Sequence, residues 1–433
     1  MPTVKVTREV PVEAHYDVVV CGGGPSGIMA AVAAARNGAS VAVIERYGFV
    51  GGMATAAFVD PISVFRYNDR LVVGGLPWEL VQRMEKAGGA QVEYPLGNVS
   101  FNSECYKLEA QRMLLESGVE LYLHAFVSSC VKDASNRITH VIFEAKDGPH
   151  ALTADVFVDC TGDGDLAAMA GVPMQSAEGP LQPASMCFLM GGVNTDNFPK
   201  IHHRNQGENY HIEYMQEKMR ELEKAGKIPT FGGPWMCSVL RDGQVMVNVT
   251  RIHADMTDER EQTRAECTLR ENVHEFVRCF RENFEEFKDV YLIQTPCQAG
   301  VRETRHILGA HVLSGEEYIS SFRFEDSIAR CCHPIDIHAS DNSAQRCTFL
   351  KEASYIPYSS LYSPDFPNLL VGGRSLSADK TASASVRVMA GVMGTGQAAG
   401  AAAAMCAREK KSVCDADVKA VQEWLVSVGT VLD

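Results

Sequence analysis

Two kinds of chemistry can be read from residue types and spacing: anion binding at a glycine turn, and proton handling by a histidine–acid group far downstream. Residues 16–46 read YDVVVCGGGPSGIMAAVAAARNGASVAVIER. Gly22, Gly24 and Gly27 fit G-x-G-x-x-G between a short apolar run and a helical pattern. Gly22 permits the tight turn, and Gly24 lets backbone approach a pyrophosphate. Gly27 lets helix and strand pack closely, and the helix start adds N–H donors and positive dipole. Glu45 closes the second strand about twenty residues past the turn, where it can accept from both ribose hydroxyls of an adenosine. A 2′-phosphate is repelled there. The same glycines suit a plain strand-to-helix turn; the flanking strands and the terminal acid favour a dinucleotide.

Proton chemistry points to CCHPIDIH, which holds His333 and His338 with Asp336 between them. Histidine titrates near neutral pH and is the default general base. His338 is the first choice, with Asp336 orienting its ring, and His333 the second. Either ring can instead be satisfied by backbone. Two histidines five apart with one acid do not fix a metal geometry, so no metal is assigned. Arg302 and Arg305 in VRETRHILG offer paired donors for a carboxylate or a carbonyl; an ion pair with Glu303 is the plainer alternative. Tyr358 in YIPYSSL can donate to a substrate or simply pack. Arg374 can face a cofactor or pair with Asp379.

These groups need elements to position them. Strands are expected at 17–21 and 41–44, around a helix at 28–36. A second glycine pair, Gly51–Gly52, can bring backbone near a flexible cofactor. Helices follow at 77–87 and 104–117, then strands at 120–127 and 138–145 that read as an antiparallel hairpin. A strand at 156–160 runs into the polar turn Thr161-Gly162-Asp163-Gly164-Asp165 and another helix. Residues 174–330 change character: strands at 185–193 and Val245–Thr250 alternate with charged helices. One helix is expected over 258–288, with Asp258 and Glu261 as a capping box. Leu269, Val273, Phe276, Phe280, Phe284 and Phe287 recur at helical spacing and read as core. The first pattern then returns as a strand at 368–371, a Gly372-Gly373-Arg374 turn, and Gly394-Thr395-Gly396-Gln397-Ala398-Ala399-Gly400 opening an alanine-rich helix. That helix start is anion-friendly, though glycine and alanine also allow close packing.

The bulk numbers narrow the class. The 433 residues suffice for about two or three domains. Hydrophobic content of 46% and charged content of 22% suit a globular protein with a real core. A net charge of −14 argues against a nucleic-acid partner. No apolar run is long enough for a membrane span, and the first residues lack a signal-peptide core. Fourteen scattered cysteines without a C-x-x-C motif fit reduced thiols in a cytoplasm, and no disulfide-reductase motif follows the first helix.

Together these segments resemble the bacterial FAD-dependent oxidoreductase family, within the glutathione-reductase-like, two-dinucleotide-fold flavoproteins. Five segments carry the likeness: VVVCGGGPSGIMAA, ERYGFVGGMAT, VDCTGDGDLAAMAG, AGVRETRHILGAHVLS and NLLVGGRSLSADKTASASVRVMAGVMGTGQAAGAAAA. The resemblance implies an α/β architecture. A Rossmann-like FAD-binding domain with a βββ/ββα three-layer sandwich would comprise residues 1–62, 100–173 and 365–433. An excursion at 63–99 would lie near the active site, and an α+β substrate domain on an antiparallel sheet would span 174–364. It also implies non-covalent, extended FAD. Gly22, Gly24, Pro25, Ser26 and Gly27 would hold its pyrophosphate, and Glu45 its ribose. Arg46, Gly52, Met53 and Thr55 would run beside it, with Val127 at the adenine. Thr161, Gly162 and Asp163 would form a second phosphate-side turn, and Gly373, Gln397 and Ala398 the flavin end. The implied reaction is hydride transfer from a polar small molecule to flavin N5. Reduction of an activated double bond, with Arg302 as proton donor, is the first alternative. An FAD-binding protein without catalysis is the second. A homo-oligomer paired through helices of the inserted region is open.

Overall fold

The computed structural model describes residues 3–176, 179–194, 212–339 and 344–433, with 212–214 by backbone alone. Six strands build the first domain's main sheet: β1 (Val12–Cys21), β2 (Val41–Glu45), β3 (Glu120–Leu123), β4 (Phe126–Lys132), β5 (Ile138–Ala145) and β6 (Gly148–Asp159). They form one sheet in the order β3-β2-β1-β6-β5-β4, and the strand Leu369–Val371 pairs with β6. Pairing is parallel from β3 to β6 and antiparallel along β6-β5-β4. Strand alternation decides what each face buries. Val18 and Val20 of β1 enter one core, and Val19 and Cys21 another.

Helix α1 (Pro25–Arg36) covers the first face. The β4–β5 hairpin and helix α2 (Asp165–Ala170) cover the second, giving three layers. The expected strand at 120–127 is in fact two. His124 takes φ 55° and breaks it, so β3 ends the parallel sheet while β4 pairs with β5.

The inserted domain has its own antiparallel sheet, in the order Phe231–Ser238, Val245–Thr250, Phe188–Gly191, Tyr291–Gln294. Helix α3 (Glu259–Asn283) packs on it. Asp258 caps α3, accepting from Arg260 N at 3.0 Å and Glu261 N at 2.9 Å. Glu261 reaches back to Asp255 N rather than Asp258 N, so the capping box is half formed. The expected stripe is buried: Leu269, Val273, Phe276 and Phe280 on α3, then Phe284 and Phe287 just beyond it. Each such ring contributes roughly 1.5–3 kcal/mol through burial.

The core of this domain runs from Ala184 to Ala299. Leu313, Tyr318, Ile328 and Ile356 join the core under α1 instead, as do Phe65 and Leu80. Apolar residues of 313–339 and 344–361, expected in the substrate domain, therefore pack in the first domain's core. Finally, helix α4 (Met389–Glu409) lies against α1. Its start at Met389 leaves Gly394–Gly400 inside the helix, not at its N-terminus.

Candidate functional site

A narrow channel of about 110 Å³ runs over the tips of the parallel strands. At its floor Gly22 takes φ +99°, and a Cβ there would lie 2.5 Å from the Cys160 carbonyl oxygen. Only glycine lets the tip of β1 pass the end of β6. At Gly27 a Cβ would lie 1.8 Å from the Gly22 oxygen, so Gly27 sits under the turn, not in the channel wall. Gly24 caps α1 without any side-chain bond, which leaves the first-turn N–H groups open toward the channel. Pro25 and Ser26 line the channel beside it, and Gly52 crosses so close that a Cβ would be 2.9 Å from Gly24 Cα. Glu45 is buried. Its Oε2 accepts from Gly23 N at 2.7 Å and its Oε1 from Tyr47 N at 2.9 Å. Burial pushes its pKa up, while those two donors hold it down. Each oxygen keeps a second lone pair for a hydroxyl. Arg46, Met53, Val127, Thr161, Gly162 and Gly373 also line the channel.

Several expected contacts lie elsewhere. Thr55 is buried and donates to Val50 O at 3.0 Å, holding its own loop. Asp163 does not line the channel; it accepts from Thr304 Oγ1 at 2.8 Å and pairs with Arg374. Those partners keep its carboxyl low despite burial. Asp165 faces the channel instead, bonded to Arg305 at 2.7 Å, and burial with two neighbouring acids lifts its pKa to about 6. Gln397 and Ala398 are fully buried inside α4. Gln397 accepts from Leu76 N at 2.6 Å and donates to Thr430 Oγ1 at 2.7 Å, so it ties three segments together away from the channel.

A second cavity, of about 1590 Å³, opens between the two domains. Met53, Arg374, Arg387 and Met389 line both cavities and mark their junction. Arg302 faces the large cavity; its Nη1 donates to Pro183 O and Ser185 Oγ, each at 2.7 Å. His338 also lines it but is engaged on both sides. Arg251 Nη2 donates to its Nδ1 at 2.8 Å. The Nε2–H must therefore donate to Asp336 Oδ2, at 2.8 Å. Burial and the nearby Arg302 charge lower its pKa to about 3. A ring with no lone pair to spare does not act as a base, and the structure removes His338 from that role. His333 lines the same cavity with its Nδ1 2.7 Å from Pro334 O. A carbonyl only accepts, so Nδ1 carries the proton and Nε2 is the basic nitrogen.

Tyr358 is buried and donates to Val413 O at 2.8 Å, outside the cavity. Arg305 pairs with Asp165, not Glu303, and Arg374 pairs with Asp163, not Asp379. Sequence reasoning missed Arg251, Arg387 and Asp60. Arg387 stands alone among small and apolar residues between two helices, which is the signal that was there to find. Asp60 lines the large cavity, and neither carboxylate oxygen has a hydrogen-bond partner among the described residues. Burial and Glu93 push it well above the usual carboxylate range; only the nearby Phe101 N–H pulls the other way. No group of three or more metal-ligating side chains occurs among the described residues. None of their helices is long and apolar enough to cross a membrane.

A family model described as FAD dependent oxidoreductase matches residues 17–425. Digeranylgeranylglycerophospholipid reductase 2 of Methanopyrus kandleri is 27% identical over 191 residues, 42% of this chain and 46% of that protein. A soluble pyridine nucleotide transhydrogenase of Marinomonas sp. is 49% identical over 59 residues, 14% of this chain and 13% of that protein. The chain thus spans less than half the length of these curated relatives. Among solved structures, a geranylgeranyl bacteriochlorophyll reductase-like protein from Thermoplasma acidophilum matches with TM-score 0.48 and 12% identity, over 97% of this chain and 94% of that one.

Proposed function

The chain belongs to the FAD-dependent oxidoreductase family, and on that premise we propose that it moves a hydride between FAD and a polar small molecule held in the large cavity. The observation that carries this reading is the junction: Met53, Arg374, Arg387 and Met389 face both the channel and the cavity. The channel suits FAD, because the uncapped start of α1 faces a cleft that the glycine turn keeps free of side chains. Gly24, Pro25, Ser26 and Gly52 would hold the pyrophosphate, and Glu45 the ribose. Arg46, Met53, Val127, Thr161, Gly162 and Gly373 would line the rest, without a covalent tether. That would be the extended pose implied by the resemblance to glutathione-reductase-like flavoproteins. Bound there, FAD supplies a two-electron acceptor or donor at N5. The protein supplies position and one proton site. Arg302 orients the substrate, and His333 Nε2 accepts the proton that leaves as a carbon–hydrogen bond is oxidised. A homo-oligomer through the inserted domain is compatible with this reading and enters none of its steps.

Asp60 favours a second reading in the reductive direction. A cavity carboxyl whose pKa burial raises well above the usual carboxylate range is suited to donating the proton that completes hydride addition to an activated double bond. One partial relative is also named a reductase. Anaerobic titration of the FAD-loaded protein separates the two. Bleaching by a hydroxy acid, amine or polyol, slowed by His333→Gln with FAD retained, supports oxidation. Reaction only of pre-reduced protein, with an enoate-type acceptor and dependent on Asp60, supports reduction. Protein that takes up no FAD overturns both.

A further inference from the structure

The guanidinium groups at the basic end of the large cavity are unequally paired. Three guanidinium groups act on one another there: Arg251 on Arg302, and Arg302 on Arg387. Burial lowers the pKa of both Arg302 and Arg387 to about 10, and both stay charged at neutral pH. Among the described residues, Asp336 is the carboxylate in contact, with Arg387 Nη2 at 4.0 Å. Its oxygens are already engaged, Oδ2 with His338 at 2.8 Å and Oδ1 with Gln345 Nε2 at 2.6 Å. His338 is neutral. Glu303, the other acid felt by Arg387, is bonded to Gln182 N at 2.8 Å. Glu223 also acts on Arg251. Arg374 is paired with Asp163. A buried guanidinium such as Arg302, which has no ion pair among the described residues, is costly unless an anion completes it.

The donors show where that anion belongs. The two bonds of Arg302 Nη1 hold its guanidinium in one plane. Its Nε and Nη2 have no hydrogen-bond partner among the described residues. Arg387 Nε is buried without a partner among the described residues. Arg302 lines only the large cavity, whereas Arg387 lines cavity and channel alike. Arg302 is therefore on the substrate side and Arg387 bridges toward the cofactor. The other cavity walls carry Leu96, Phe231, Trp235 and Phe349, leaving apolar room beyond the cationic end.

We infer that Arg302, with Arg387 beside it, is the receptor for the carboxylate of an organic-acid substrate whose apolar body fills the rest of the cavity. The inference rests on the flavin reading above and specifies its substrate class. A flat guanidinium with two adjacent free donors matches a carboxylate in bidentate fashion. The oxidised isoalloxazine ring is neutral and gives Arg302 no anionic partner, so a carboxylate should bind the oxidised holoprotein without turnover.

The test is calorimetric titration of oxidised, FAD-loaded protein with benzoate, succinate and inorganic phosphate. FAD content is read separately from absorbance. Saturable binding of a carboxylate is expected, weakened about tenfold or more in Arg302→Met, with part of the affinity restored in Arg302→Lys. FAD occupancy equal to wild type shows that the variants fold. No binding of either carboxylate, equal affinity in Arg302→Met, or phosphate binding as tightly as the carboxylates overturns the inference. Absence of FAD overturns the function reading instead, and the same titration still reports whether Arg302 binds a carboxylate.

Discussion

His338 provides a sharp test of the buried cluster, because its altered titration must appear in stability. Its side chain is 5% exposed, and burial together with Arg302 lowers its pKa to about 3. In the unfolded chain the ring titrates near the ordinary value of about 6.5. The folded value is depressed, so unfolded protein binds the extra proton between these limits. Stability is complete above pH ~6.5 and drains away as the pH falls toward 3. At pH 5.5 about nine in ten unfolded rings are protonated and almost no folded ones. The resulting loss relative to pH 7.5 is about 1.4 kcal/mol, and it requires only that the folded pKa lie well below 5.5. Urea melts of wild type and His338→Gln at both pH values isolate this amount. The variant also loses the ties to Arg251 and Asp336, which lowers stability at both pH values and cancels in the comparison. Wild type should lose about 1.4 kcal/mol more than the variant on acidification. Equal pH dependence in the two proteins would refute the neutral, doubly bonded ring and reopen His338 as a base.

Two further substitutions probe how the C-terminal helix supports the site. In Gly400→Ala the new Cβ would lie 1.9 Å from the Ala30 oxygen, so the melting temperature should fall. Helix propensity alone favours alanine by about 1 kcal/mol, and a rise in melting temperature would show that α1 and α4 have room to part. Gln397→Leu leaves Leu76 N and the Thr430 hydroxyl without their partner and should cost about 1–3 kcal/mol in denaturant melts, with FAD affinity unchanged. Weaker FAD binding at unchanged stability would put Gln397 back at the flavin.

What was legible in the sequence was what local geometry enforces. Gly22, Gly24 and Glu45 lie within one strand–turn–helix–strand unit, where spacing nearly determines position. The α3 stripe was legible because one helix face suffices to explain it. Spacing alone could not separate Asp163 from Asp165, two residues apart in one turn. Arg374 and Thr304, distant in sequence, turn Asp163 away from the channel. The basic cluster was hidden for the same reason. Arg251, Arg302, Asp336 with His338, and Arg387 come from four separate segments, and no pairwise spacing announces them. His338 looked like a free base because a sequence does not show that both its nitrogens are taken.

The glycine-rich C-terminal segment shows how a motif can serve the cofactor without touching it. A Cβ at Gly396 would lie 2.1 Å from the Ser26 carbonyl oxygen, and one at Gly372 would lie 2.7 Å from Ser26 Oγ. Ser26 itself lines the channel one residue past Pro25, in the first turn of α1. The late glycines therefore set how deeply that turn can sit between β6 and α4. Any side chain at Gly372 or Gly396 must push the first turn of α1, and with it the open N–H groups, toward the space the pyrophosphate would fill. The resemblance of GTGQAAG to a cofactor contact and its burial inside α4 are then consistent. The segment acts on the channel through packing, one layer below the residues that line it.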